Sequence, residues 1–444
     1  MKCRIVSQTG SDSAVVFFTG WSCDAGPFED MTVPGYDVIV VWDYADFGLE
    51  TSPLATYREI VVAAWSFGAI AASRFLADHP ELPVTLTIAF NSTLCPADDF
   101  KGIPTAIFEG TLNGLCERSL TKFRRRMGAG ADITERLEPA DIDSLKYQLQ
   151  NIRREAAGKL FRRWDHVYIS SEDRIIPPQN QHRFWDETAA ILHNTDGQHL
   201  PADIAATIAS LAVDKQLVRE RFGSCSSTYD DNAPVQHEIA ARLVTMVPDD
   251  VRDVVEIGCG TGVLTAMLRD RLPSASVTPV DISPSLPDAV CDDGELYLMR
   301  LPDSSLDLVI SSSTVQWFNS PSRFLQECAR VLRPGGMALI STFGPDTYKE
   351  LRGHGAPTLA FTDTDRWRRI AADFFESAEV TEESIVMTFD SPHELMRHIK
   401  LTGVNAVTRG GVTAARRLLK ELTPGADGRC RLTYNPIYLK LTIR

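Results

Sequence analysis

The stretch Val254–Gly262, VVEIGCGTG, decides how the chain is read. A run of β-branched residues stops at a glycine-rich turn, and apolar-periodic residues follow from Val263 to Leu272. That pattern predicts a buried parallel strand handing over to a helix. Such a βα turn binds nucleotides. Gly258, Gly260 and Gly262 let the backbone turn tightly and approach a ligand, while Glu256, at the strand's carboxyl end, can accept hydrogen bonds. One strand-length on, SVTPVDIS puts Asp281 at the tip of a second strand, where a carboxylate can hold a ribose diol. A dinucleotide fingerprint spaces its glycines G-x-G-x-x-G. Here the order is E-x-G-x-G-x-G, with the acidic residue two before the first of three alternating glycines.

That order resembles the class I S-adenosylmethionine (SAM) methyltransferases, and the resemblance implies SAM as cofactor on a Rossmann-like doubly wound sheet. A Rossmann turn for another nucleotide is the alternative. At 444 residues the chain should form two or three domains, each able to bury its own core. The opening MKCRIVSQTGSD lacks a signal-peptide core, and no run reaches the ~18 apolar residues of a membrane span, so no membrane association is expected. Nine cysteines lie scattered without a CxxC pair or a Cys/His cluster at zinc spacing, which points to a reducing cytoplasm and no metal. A formal charge of -14 argues against a nucleic-acid binder, which needs a basic face.

From the start of the chain, SAVVFFTGW predicts a strand at Ala14–Phe18 running into a turn at Gly20 and Trp21, and DVIVVWDYAD a second strand from Asp37. EIVVAAWSFGAIAASRFLADHP then runs a strand (Ile60–Ala64) straight into a helix (Gly68–Ala77), with Ser66 at the junction. This is the layout of a nucleophile elbow, G-x-S-x-G, in which small flanking residues relieve a strained turn. Here alanine stands at the first glycine: Ala64-Trp65-Ser66-Phe67-Gly68. A serine at such a turn serves either as helix cap or as nucleophile. Its partners favour the second reading. After a strand at Pro83–Asn91 and a charged helical insert, DHVYISSEDRIIPPQNQHRFW supplies a strand ending at Asp173, and AILHNTDGQHLP a strand and turn carrying His199. Serine, acid, histidine in that order, each just beyond a strand, matches the α/β-hydrolases. His199 would take the Ser66 proton while Asp173 fixes its tautomer, and the Phe67 and Trp21 amides would form an oxyanion hole. Asp165 and Asp196 are alternative acids.

The first part, residues 1 to about 212, resembles the BioG-type pimeloyl-[acyl-carrier-protein] (ACP) methyl ester esterases of biotin synthesis. FFTGW, WDYAD, the AWSFG elbow, SEDRIIPPQNQ and GQHLP carry the likeness. It implies Ser66, Asp173 and His199 as the triad, with Trp21 lining the acyl site. The insert, about 115–164, reads as a helical lid on which KFRRR (Lys122–Arg126), Arg153-Arg154 and Arg162-Arg163 recur. Such a basic face is either solvated surface or a dock for an acidic partner such as ACP. LAVDKQLVRERF (Leu211–Phe222) contains no flexible tether, so a short helical connector should join two closely set domains, 1–212 and 213–444.

Beyond it, RFGSCSSTYDDNAPVQHEIAARLVTMVP predicts a loop and a helix from about Val235 to Met246. A strand at Leu306–Ser311, a helix at Ser322–Val331 and a strand at Met337–Thr342 follow, the last two separated by an Arg333–Gly336 turn. This half resembles the BioC-type malonyl-ACP O-methyltransferases, through FGSCSSTYDDNA, VVEIGCGTG, LPDSSLDLVISSSTVQWFN, RVLRPGGMALISTFG, HIKLTGVNA and RLTYNPIYL. The likeness implies that Glu256, Gly258, Gly260 and Gly262 cradle the SAM amino-acid portion, Asp281 holds the ribose and Tyr229 closes the pocket. Tyr229 as a plain packing residue is the alternative. Related enzymes carry an acidic loop before the LP element for the adenine, and here ELYLMRLP reads as a shortened one. The acceptor implied is a malonyl carboxylate, already ionised at neutral pH, so no general base is expected. An orienting polar group is expected in the helix Pro392–Asn405 or at Arg366–Arg369. Two other readings stand: a small-metabolite methyltransferase joined to an unrelated serine hydrolase, and a hydrolase-like half that only binds ACP.

Overall fold

Runs of valine and isoleucine build two seven-stranded sheets, one in each of two compact units, Met1–Ala212 and Val213–Arg444. The computed structural model describes residues 1–352, 361–402 and 427–443, with the backbone alone of 225–228.

The first unit carries β1 (Lys2–Ser7), β2 (Ser13–Phe18), β3 (Asp37–Trp42), β4 (Glu59–Trp65), β5 (Val84–Phe90), β6 (His166–Ser170) and β7 (Ile191–Thr195). They lie in the order β1-β3-β2-β4-β5-β6-β7, parallel except for β1, which pairs antiparallel at the edge. Every residue of β2, β4 and β5 is buried, as continuous apolar strands covered on both faces should be. α1 (Gly68–Asp78) follows β4 directly. Four helices form the insert: α2 (Thr105–Asn113), α3 (Glu117–Arg126), α4 (Ala131–Glu135) and α5 (Ile142–Glu155). The helical insert thus starts ahead of the expected position near 115. α2 buries only Phe108, so its apolar periodicity is too weak to mark it. α6 (Pro178–Trp185) and α7 (Ile204–Leu211) complete an α/β-hydrolase fold with a helical lid.

In the second unit, α8 (Lys215–Asn232) and α9 (Pro234–Val244) precede β8 (Asp253–Ile257), α10 (Val263–Arg271), β9 (Ser276–Asp281), β10 (Val290–Cys291) and α11 (Gly294–Tyr297). β11 (Leu306–Ser312), α12 (Pro321–Val331), β12 (Leu332–Phe343), α13 (Thr364–Ala372), β13 (Ser377–Glu382), β14 (Ile385–Phe389), α14 (Pro392–Leu401), β15 (Cys430–Tyr434) and β16 (Pro436–Thr442) follow. The main sheet runs β10-β9-β8-β11-β12-β16-β13, with β16 antiparallel to both neighbours, and β14 pairs with β15 beside it. Separate apolar clusters fill its two faces, one around Leu268 and Leu339, the other around Phe324 and Trp367. This is a Rossmann-like doubly wound fold. Its crossovers leave β8 and β11 toward opposite edges, which opens a crevice at their carboxyl ends.

Two local expectations are corrected. The loop expected from Arg221 is part of the 18-residue α8, started by the Asp214 side chain accepting the Leu217 N–H. Its Gly-Ser-Cys-Ser-Ser-Thr run has poor intrinsic helix propensity, while the preceding turns are anchored by Val218 and Phe222 against Trp317. The Arg333–Gly336 turn is instead the start of β12, which reaches back to pair Leu332 with Leu306 across a register shift. The helix expected over Pro392–Asn405 is α14, which runs to Leu401 with Thr402 as its cap, and the rest of the HIKLTGVNA stretch lies outside the described residues.

Candidate active sites

In the first unit the strand ends converge. Ser66 follows β4 with φ +58°, in the left-handed region that a side chain rarely occupies. The turn is tight enough that a Cβ at Gly68 would lie 2.4 Å from the Phe18 carbonyl oxygen, so glycine is required there. Ser66 Oγ lies 2.8 Å from His199 Nε2, and His199 Nδ1 lies 2.8 Å from Asp173 Oδ2. This pairing makes Nδ1–H the donor to the carboxylate and Nε2 the acceptor of the serine proton. All three side chains are buried. The Asp173 carboxylate is held by the Ile175 and Ile176 amides and by Gln181 Nε2. Asp165, one of the two alternative acids, is instead spent on the Thr87 amide and hydroxyl.

Two partners of this constellation were not marked in the sequence. The His199 carbonyl accepts Trp65 Nε1 at 2.7 Å and Asn91 Nδ2 at 2.8 Å, which fixes the histidine loop from the elbow and from the end of β5. Asn91 has φ +43° and stands just beyond β5. A polar residue closing an apolar strand was the available signal.

Trp21 lies beyond β2, and neither its amide nor that of Phe67 donates to another described group. The Trp21 indole donates to the Leu145 carbonyl of the lid at 3.1 Å. Trp21 and Phe67 line one small, mostly apolar cavity with Ile103, Phe108, Phe123 and Leu149, and Arg126 also reaches its wall. The basic clusters divide in the structure. Arg153 pairs with Glu109 and Arg154 with Glu155, Arg124 is half-buried, and Lys122, Arg125 and Arg126 are exposed without an ion pair among the described residues.

In the second unit the glycine turn closes beneath a cleft of about 150 Å³ lined by Glu256, Gly258, Gly260, Asp281 and Tyr229, among others. Gly258, Gly260 and Gly262 all have positive φ. A Cβ at Gly258 would fall 1.9 Å from Thr314 Oγ1, and one at Gly262 2.6 Å from Leu286, whereas above Gly260 nothing lies within 4 Å. Gly260 therefore leaves room for a ligand. Gly262 does not line the cleft; it caps α10 in a left-handed conformation. Asp281 reaches the cleft, but its oxygens already accept the Gly260 and Ser283 amides, so it braces the turn and offers only its remaining lone pairs.

Glu256 is 1% exposed. Its Oε2 accepts Thr265 Oγ1 at 2.6 Å, and its Oε1 has no partner among the described residues. Burial pushes its carboxyl up to about 7, against the lowering effect of the Thr265 bond. A buried carboxylate oxygen left unsatisfied fits a cationic or donor group arriving from the cleft. Sequence reasoning missed Asp293, which also lines the cleft. The two-residue β10 brings it there, ahead of α11. Lys215 approaches Asp293 at 3.4 Å and Glu295 at 2.9 Å.

A second cavity shares Phe222, Tyr229, Gln236, Ser313 and Trp317 with the first and continues past Phe343, Tyr348 and Phe361. Tyr229 thus stands between the two. Of the regions expected to orient an acceptor, Thr402 after α14 lines this cavity. Arg366, Arg368 and Arg369 line neither, since α13 packs on β13.

A model of the pimeloyl-ACP methyl esterase BioG family matches residues 1–206, and one of a methyltransferase domain matches residues 255–340. A malonyl-[acyl-carrier protein] O-methyltransferase of Bacteroides fragilis is 33% identical over 96% of this chain and 92% of its own length. One from Porphyromonas gingivalis is 32% identical over 53% of this chain and 98% of its own. Among solved structures, BioG of Haemophilus influenzae is 29% identical, covering 45% of this chain and 94% of that one, with a TM-score of 0.41.

Proposed function

We propose, for a chain that belongs to the malonyl-[acyl-carrier protein] O-methyltransferase family and carries a BioG esterase domain ahead of its methyltransferase domain, that it both installs and removes one methyl ester in biotin synthesis. In this reading residues 213–444 methylate the free carboxylate of malonyl-ACP, and residues 1–212 hydrolyse the methyl ester of pimeloyl-ACP. The observation that carries it is the presence on one polypeptide of a buried Ser66–His199–Asp173 relay and a glycine cleft with an unsatisfied carboxylate.

For hydrolysis, Ser66 Oγ attacks the ester carbonyl as His199 Nε2 takes its proton. The oxygen that gains charge is held by the Trp21 and Phe67 amides. His199 passes the proton to the departing methoxide, which leaves as methanol. Water then attacks the acyl-serine, again through His199, releasing the acid and restoring Ser66. Asp173 keeps Nδ1 protonated and steadies the imidazolium throughout.

For transfer, SAM supplies an electrophilic methyl when bound. Glu256 Oε1 would accept from its ammonium group, Gly258 and Gly260 admit its amino-acid portion, Asp281 would hold the ribose and Asp293 lies in the same cleft for the base. Tyr229, between the two cavities, would exclude water from the reacting atoms. The acceptor carboxylate needs no base, so placement is the main demand on the chain. Lys122, Arg125 and Arg126 would meet an acidic carrier, which raises encounter rate more than affinity.

The test is an assay of the purified chain with carrier-bound substrates. Ser66→Ala is expected to lower ester hydrolysis by roughly 10³-fold or more while leaving methyl transfer to malonyl-ACP intact. Hydrolysis that survives the substitution, or transfer only to free small acceptors, would remove the corresponding half.

A further inference from the structure

Lid helix α3 meets the esterase machinery at three points along one side. Phe123 packs edge-on against the Trp21 ring with centroids 5.1 Å apart. Arg124 Nη2 donates to the Ser22 carbonyl at 2.8 Å. Just past the helix end, the Met127 carbonyl accepts the Leu200 N–H at 2.8 Å, one residue beyond His199. Ser22 is the unusual partner. Its φ is +70°, its side chain is buried, and its Oγ has no hydrogen-bond partner among the described residues. A non-glycine residue holds that conformation only where its surroundings over-determine it. Gly20 and Cys23 close the turn through a 3.1 Å backbone bond, and Arg124 grips the Ser22 carbonyl between them from outside.

Arg124 is also unlike its neighbours. Arg125 and Arg126 are exposed, whereas Arg124 is half-buried, with its Nε left without a partner among the described residues. A guanidinium partly desolvated and incompletely bonded is costly to place, which argues for a task at that point rather than for a surface charge.

We infer that Arg124 is a positioning residue for the oxyanion hole and stands apart from the carrier dock: its grip on the Ser22 carbonyl holds the strained turn that aims the Trp21 N–H at the ester oxygen. The inference rests on the assignment of Trp21 and Phe67 as oxyanion donors. A donor aimed at charge that develops only in the transition state acts on kcat, whereas a surface charge acts on encounter with the carrier.

Full-length Arg124→Ala should therefore lose about tenfold in kcat on a p-nitrophenyl ester and on a carrier-bound methyl ester alike, with KM on the free ester little changed. A trifluoromethyl ketone, which mimics the tetrahedral state, should weaken by the same factor while the product acid binds as before. Where Arg124→Ala fails to fold, Arg124→Lys is read the same way, with a smaller parallel loss because it keeps one charged donor. Unchanged kcat on the free ester, loss confined to the carrier-bound ester, or ketone affinity that does not follow kcat would overturn the inference. A ketone that binds the unmutated chain no tighter than the acid does would instead remove the oxyanion assignment, and this inference with it.

Discussion

Glu256 carries the sharpest consequence at the scale of single residues. Its carboxyl sits at about 7 in the folded chain against 4.5 for the ordinary group. Because the folded value is the higher one, protonation favours the fold. That contribution is complete below about 4.5 and is lost as pH rises through about 7, amounting to about 3 kcal/mol. Glu256→Gln should flatten this slope in denaturant unfolding of the ligand-free chain, and an unchanged slope would show that another group sets it. A cationic ligand group favours the ionised carboxylate, so affinity for S-adenosylhomocysteine should weaken by up to about tenfold per unit as pH falls below 7. Calorimetry checks this: affinity that is flat between pH 5.5 and 7.5 would contradict the assigned contact. In the other site, Asp173→Asn should leave the geometry but hold the wrong tautomer, lowering kcat about 10⁴-fold with folding stability nearly kept. A small loss would mean that the acid is dispensable. Sequence order alone left Asp165 and Asp196 open as that acid, since all three lie near strand ends. Only the fold shows Asp165 committed to Thr87.

At the scale of elements, the glycine turns were the legible part. Gly68 and Gly258 both sit where a side chain would strike fixed atoms, Phe18 backbone in one case and Thr314 in the other. Gly258→Ala adds left-handed strain to that clash, since φ there is +80°. It should destabilise by about 2 kcal/mol or more and abolish cofactor binding, as thermal unfolding with and without S-adenosylhomocysteine would show. Normal affinity at normal stability would contradict the packing described. The strands that feed these turns announced themselves through unbroken apolar runs, and so did the positions of Ser66, His199, Glu256 and Asp281. α8 did not, because its Gly-Ser-Cys-Ser-Ser-Thr run hides a helix that packing against Trp317 supports. The antiparallel β1 and β16 were also invisible. Their register is set by partners far away in sequence, which no local period reports. Asp293 escaped for a related reason: a two-residue strand is too short to show alternation.

At the scale of the whole molecule, the two proposed chemistries answer one physical problem. An ionised carboxylate is expensive to bury in an apolar elongation site, and esterification removes the charge. Once the chain has been lengthened, hydrolysis would restore the acid. In the proposed reading each unit performs its own half, so one polypeptide ties the cap to its removal. The most direct measurement is growth without biotin of two bacterial strains, one lacking the capping methyltransferase and one lacking the uncapping esterase, each given the full chain or its Ser66→Ala variant. The expected result is that the unmutated chain rescues both strains while Ser66→Ala rescues only the strain without the methyltransferase. Rescue of a single strain by the unmutated chain, or rescue of the esterase-deficient strain by Ser66→Ala, would contradict it.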